Sequence, residues 1–157
     1  MKWKLAVAII VTIGFIGTPA AAQPGGPAGD RPIEVTVQLG TATGDMVVIP
    51  RDVVFEKGQQ YKLVLTNPSD VKHRFSVRSF SPLVMTRSKP EIDKGTVIGR
   101  PYLTGRVPSG YFVREIHIVP GGSVEWEFTP LRSRIVKVGC RIDSHARAGM
   151  TGTFGVL

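Results

Sequence analysis

The chain reads as an all-β protein, an antiparallel β-sandwich or barrel, on three observations. Apolar and polar residues alternate over several short stretches. No stretch sustains a helical period. Asn67-Pro68, Pro120-Gly121-Gly122 and Thr129-Pro130 separate the alternating stretches from one another.

Met1-Lys-Trp-Lys is followed by an apolar run from Leu5 to Ile16, then by Ala20-Ala21-Ala22 ahead of Gln23. A basic start, a hydrophobic middle too short to cross a bilayer comfortably and a small-residue exit follow the order of a Sec-type signal peptide. Residues 1–22 are therefore expected to be cleaved after Ala22. An uncleaved membrane anchor is the alternative reading. Export implies a periplasmic or secreted protein with no stable membrane insertion after cleavage, and about 135 remaining residues suit one domain. Loss of Lys2 and Lys4 leaves 18 Lys+Arg against 12 Asp+Glu, a balance that favours anionic partners. Nucleic acid is not expected among them, because the basic residues are scattered along strands of an exported chain, where most serve as a solvated face.

Residues 23–31, with Pro24, Gly25, Gly26, Pro27 and Gly29, form a flexible leader, and the domain occupies 32–157. Ile33, Val35, Val37 and Leu39 alternate with Glu34, Thr36 and Gln38. The same period returns in Tyr61, Leu63 and Leu65, and again in Val124, Trp126 and Phe128 around Glu125 and Glu127. Residues 81–110 break it, with Pro82, Pro90, Pro101 and Pro108 spread among Gly95, Gly99, Gly105 and Gly110. This stretch is expected to be one long connection, with at most a short helix between Ser81 and Ile92. It would form a wall beside the site, a docking surface or an insertion packed over one sheet.

The closing residues hold the only cysteine, Cys140, then His145 and Met150, with four residues in each interval. A thiolate, an imidazole and a thioether from one tight loop suit copper. The soft sulfurs favour Cu(I), the imidazole accepts either oxidation state, and a weak axial thioether completes a trigonal site. A second imidazole is needed, and His73 is the candidate. Strand parity places it inward with Phe75 and Val77, opposite Lys72, Arg74, Ser76 and Arg78. Cys140 shares its parity with Val136 and Val138, and Met150 with Phe154 and Val156. An inward histidine taken alone would read as a hydrogen-bonded core residue. An unpaired thiol in an oxidising compartment calls for an explanation, which metal ligation supplies. A disulfide to another chain or an inert buried thiol would account for Cys140, but not for the His145 and Met150 that follow it.

These stretches together resemble the cupredoxins, the small blue copper proteins. Pro50 to Asn67 is similar to the strand, turn and strand that precede the family's first ligand, and His73-Arg-Phe to the element that carries it. Val119-Pro-Gly-Gly-Ser-Val resembles the turn before the penultimate strands, and Cys140, His145, Met150 and Gly152 the ligand loop and its exit, with a spacing closest to that of rusticyanin. The resemblance implies a Greek-key sandwich holding one type 1 copper ion that cycles between Cu(I) and Cu(II). It implies His73, Cys140, His145 and Met150 as the ligands, and His145 as the exit for single electrons passed between redox proteins. A monomer that is not an enzyme is expected; a periplasmic copper chaperone or buffer would use the same ligands, and a metal-free interaction domain on this scaffold would use none.

The chain departs from the family at three places. Arg74 stands where many members have an asparagine or serine that hydrogen-bonds to the cysteine loop, so that restraint is expected to be missing or made differently. Asp143-Ser144 replaces a Pro-Gly pair, and a carboxylate so near the metal would favour Cu(II) unless Arg141 or Arg147 compensates it. Lys137-Val138-Gly139 replaces an aromatic pair before the cysteine. Lys72, Arg74, Arg141 and Arg147 lie within two residues of an expected ligand and suggest a docking patch for an acidic redox partner. His117 reads as a surface residue, Met46 and Met85 as packing, and Trp126 as core. One cysteine excludes a two-cysteine binuclear centre, no second histidine cluster suggests a catalytic copper, and no serine has a nucleophile-turn context.

Overall fold

The computed structural model describes residues 31–104 and 106–157. The signal peptide 1–22, its cleavage after Ala22 and the leader up to residue 30 lie outside the described residues. The strands are β1 (Ile33–Leu39), β2 (Val48–Ile49), β3 (Asp52–Phe55), β4 (Tyr61–Thr66), β5 (His73–Ser76), β6 (Val84–Met85), β7 (Glu91–Ile92), β8 (Gly95–Thr104), β9 (Val107–Ile118), β10 (Ser123–Pro130), β11 (Arg134–Cys140) and β12 (Thr151–Val156). A 3-10 turn, Ser81–Leu83, precedes β6, and one short helix, α1 (Asp143–Arg147), separates β11 from β12.

Two sheets form, ordered β2-β1-β4-β10-β6 with β7 beside β10, and β3-β12-β11-β5-β9-β8. Alternation explains their faces: Tyr61, Leu63 and Leu65 of β4 and Val124, Trp126 and Phe128 of β10 are all buried, with their intervening neighbours more exposed. The expected sandwich is therefore present, but its sheets are mixed. β1 runs parallel to β4 from Ile33 opposite Tyr61, and β12 parallel to β3 from Thr153 opposite Asp52. The period of two is the same for either direction, so alternation carries no information about it.

Between the sheets lies an aromatic core in which Phe80 sits centrally, with ring centroids 5.4 Å from Phe55, 5.9 Å from Trp126, 5.3 Å from Phe128 and 5.2 Å from Phe154. Offset and edge-on ring pairs of this kind add to area burial. Trp126 is core, as expected, and its indole N–H donates to Thr86 Oγ1 at 2.8 Å. Met46 packs against the core as well.

The 81–110 stretch is not one long connection. It contributes the 3-10 turn, β6, β7, all of β8 and the start of β9, and its 3-10 turn carries Pro82 at its start. The β8–β9 hairpin continues the second sheet as its edge. Pro101 is tolerated because β8 is an edge strand, and the register shifts at Ile98/Gly99 and Tyr102/Leu103 absorb the irregularity that the glycines and prolines create.

Candidate metal centre

Strand pairing assembles the site. Cys140 ends β11 opposite Phe75, two residues along β5 from His73, which opens that strand, so the end of one strand lies near the start of its neighbour. The chain then turns through α1, which carries His145 back towards His73. His73 Nδ1 lies 3.2 Å from His145 Nδ1, and Cys140 Sγ 3.7 Å from the same nitrogen. One donor atom from each of the three residues falls within a 4.8 Å span, the one such group among the described residues. His73 and Cys140 are buried and His145 is half-buried, which leaves a single imidazole facing the surface.

Met150, directly before β12, is fully buried. Its amide donates to the His145 carbonyl at 3.1 Å, and its own carbonyl accepts the Cys140 amide at 3.0 Å. These two bonds close the 140–150 loop on itself. Arg74 shows how the missing side-chain restraint is made: its carbonyl accepts the Arg141 amide at 2.7 Å, so backbone joins the two ligand-bearing segments. The Arg74 guanidinium turns away and pairs with Glu115 at 2.8 Å.

His117 is half-buried on the outer sheet face and shares a Glu115 oxygen with Arg74. Burial raises the Glu115 pKa, but hydrogen bonds from His117 and Arg74 and the Arg74 charge outweigh it, leaving the carboxyl below its usual range. Asp143 is exposed in the first turn of α1 and is not among the converging donors. Lys72 and Arg147 are exposed. Arg74, Arg78, Arg114 and Arg141, all exposed, line a cleft of about 180 Å³ with Ser76, Ile98 and Glu115.

Three residues that sequence reading did not single out surround the first histidine. Ser69 Oγ lies 2.9 Å from His73 Nε2 and 2.7 Å from Asn67 Oδ1. Asn67 in turn accepts the Ser69 amide at 3.0 Å and donates its Nδ2 hydrogens to the carbonyls of Val71 at 2.8 Å and Ile118 at 3.1 Å. Gly40, at φ +75°, leaves the far side of the ring open, since a Cβ there would stand 2.8 Å from His73 Nε2. Only the Asn67-Pro68 turn signal was visible beforehand.

Burial, assisted by the charge of His145, pushes the His73 pKa down to about 4. Its imidazole is therefore neutral near pH 7, the form a metal requires. A thiolate and two imidazoles, without a carboxylate, match the donor chemistry of copper.

No family model and no curated protein sequence matches the chain. The structure is similar to dithionite-reduced auracyanin from the photosynthetic bacterium Roseiflexus castenholzii, with a TM-score of 0.50 and 16% identity over 79% of this chain and 96% of that one. It is also similar to a laccase from Pediococcus acidilactici, TM-score 0.54 and 12% identity over 89% of this chain and 30% of the laccase. The McoA multicopper oxidase of the hyperthermophile Aquifex aeolicus gives a TM-score of 0.54 and 10% identity over 81% of this chain and 30% of that one. The chain thus spans less than a third of either oxidase. At these identities the likeness establishes the fold, and that fold is the cupredoxin-like sandwich.

Proposed function

We propose that the protein is an exported type 1 copper protein that carries single electrons between redox partners, with copper held by His73, Cys140, His145 and Met150. The observation that carries this reading is the convergence of the His73, Cys140 and His145 donors within 4.8 Å at one end of the sandwich. Copper bound there supplies a one-electron couple at a thiolate-rich, partly apolar site. The chain's own part is to hold donors in place. β5 and β11 fix His73 and Cys140 through their pairing, the Arg74–Arg141 bond ties the following residues, and the Met150 backbone braces the loop. Met150 would supply the thioether: it is fully buried and its backbone is hydrogen-bonded to both Cys140 and His145.

A carrier is favoured over an oxidase. The sequence contains three histidines, two of them in this group, which leaves only His117 for a second copper centre. The matched residues account for 96% of the auracyanin but 30% of the laccase. The basic sequence-predicted patch becomes a more specific docking proposal: an acidic partner surface seats on the cleft of Arg74, Arg78, Arg114 and Arg141. Two of these directly follow His73 and Cys140. Among the described residues only Arg74 of the four is in an ion pair, so the others present free charge for long-range steering. Export rests on the N-terminal signal, and no helix among the described residues is long and apolar enough to cross a membrane.

The test is electron transfer with an acidic redox protein across a salt series, for wild type and Arg114→Glu/Arg141→Glu. Fast reversible reduction that slows with added salt and with charge reversal supports a carrier docking on the cleft. Slow or irreversible reduction with tight Cu(I) retention moves the assignment to a copper chaperone or buffer.

A further inference from the structure

The copper reading names ligands, and resting on it is a separate question of what fixes the first ligand before any metal arrives. We propose that Asn67 and Ser69 form a buried positioning relay that holds His73 as its Nε2–H tautomer, presenting the Nδ1 lone pair to the site in the metal-free protein. Asn67, Ser69 and His73 are all buried, at 1%, 2% and 0% exposure, so none of their polar atoms exchanges a partner with bulk water at no cost.

The tautomer follows from counting hydrogens. The amide of Asn67 has one workable orientation, because Nδ2 faces two carbonyls, those of Val71 and Ile118, and Oδ1 faces the Ser69 N–H. Ser69 Oγ therefore meets two groups that only accept: Asn67 Oδ1 at 2.7 Å and the Val71 carbonyl at 3.1 Å. The single hydroxyl hydrogen is directed to that side. At 2.9 Å from His73 Nε2, the hydroxyl is then left as an acceptor, and Nε2 must carry the hydrogen. The opposite arrangement would place three acceptors around one another, with the oxygens of Ser69 and Asn67 at 2.7 Å and no proton between them. His73 Nδ1 is thereby the unprotonated nitrogen, and the proton between it and His145 Nδ1 at 3.2 Å comes from His145.

Gly40 completes the device by leaving room for the Ser69–His73 contact. A Cβ at residue 40 would meet His73 Nε2, Ser69 Cβ and Ser69 Oγ at 2.8, 3.1 and 3.2 Å. Through the Ile118 carbonyl the relay also anchors to the end of β9, the strand that pairs with His73 itself. Ligand histidines whose second nitrogen is held in this way keep one tautomer and one ring orientation.

Long-range 1H–15N correlation spectra of metal-free wild-type protein near neutral pH test the tautomer directly. His73 is expected to show a protonated Nε2 and a bare Nδ1; the reverse pattern overturns the proposal. Ser69→Ala removes the acceptor. It is expected to abolish that preference and to weaken Cu(II) and Zn(II) binding by about 10- to 100-fold, whereas Ser69→Thr, which keeps a hydroxyl, restores the tautomer. A Ser69→Ala protein with wild-type tautomer and affinity also overturns the relay, and the wild-type spectrum decides the matter if the variant does not fold. A colourless Cu(II) complex combined with an Nε2–H His73 would sink the blue copper reading and leave this inference standing.

Discussion

The Arg74 carbonyl accepts the Arg141 amide at 2.7 Å, so the residues that follow His73 and Cys140 are joined by backbone and not by a side chain. This explains how an arginine occupies a position from which a polar side chain was expected to reach the cysteine loop. The bond is independent of side-chain identity, and the guanidinium is free to pair with Glu115.

Arg74→Ala should therefore leave the metal site intact. The arginine side of its pair with Glu115 is exposed to solvent, so stability should change by only about 0.2–1 kcal/mol. The Cu(II) absorption spectrum of the variant is the check. A lost or shifted thiolate band would mean that the side chain, and not the carbonyl, restrains the loop.

Met150→Leu probes the axial assignment. Losing the fourth donor leaves a three-coordinate site, which suits Cu(I) better than Cu(II), so the reduction potential should rise while His73, Cys140 and His145 still bind and the colour survives. Potentiometry of both proteins measures this. An unchanged potential would show that Met150 packs without ligating, and Asp143 would be the next residue to vary.

The depressed His73 pKa, about 4 against an ordinary 6.5, makes the metal-free fold acid-sensitive. Between those values the unfolded chain binds the proton and the folded chain does not, so stability falls as pH drops through this window and levels off below it. The loss attributable to His73 is on the order of 3 kcal/mol at its largest. Urea unfolding of metal-free wild type and His73→Gln at pH 7 and 4.5 isolates it. Equal acid sensitivity in the two proteins would contradict the assignment to His73.

Gly40→Ala and Gly44→Ala separate backbone strain from crowding. Both residues have positive φ, +75° and +93°, but a Cβ at 44 meets nothing within 4 Å, whereas one at 40 meets His73 Nε2 at 2.8 Å. Each should lose about 1–2 kcal/mol from the left-handed backbone alone. Only Gly40→Ala should lose more and bind Cu(II) more weakly. Thermal melts and Cu(II) titrations of both variants are the measurement, and equal effects would show that the ring has room to move.

Much of this was legible in the sequence for a local reason. The alternation of Tyr61, Leu63 and Leu65 and of Val124, Trp126 and Phe128 reports burial directly, and the parity of His73 and Cys140 turned each inward where strand pairing then brought them together. Pairing direction was not legible, because the parallel contacts of β1 with β4 and β12 with β3 leave the period unchanged. The β8–β9 hairpin was hidden by residues that ordinarily end strands: Pro101 and Gly99 on the edge strand β8, and Pro108 and Gly110 on the stretch of β9 that runs past its pairing with β5, positions that tolerate them. Ser69 was hidden for another reason. Its turn chemistry with Asn67 is local, but its third contact, to His73, depends on where β5 places the ring.

The measurement that bears most directly on the account is the absorption spectrum of the purified protein titrated with Cu(II), wild type beside Cys140→Ala. The convergence of Cys140 Sγ with the two imidazoles predicts one equivalent of copper and an intense blue or green thiolate-to-copper band, absent from the variant. A colourless, weakly held Cu(II) complex in the wild type would contradict it.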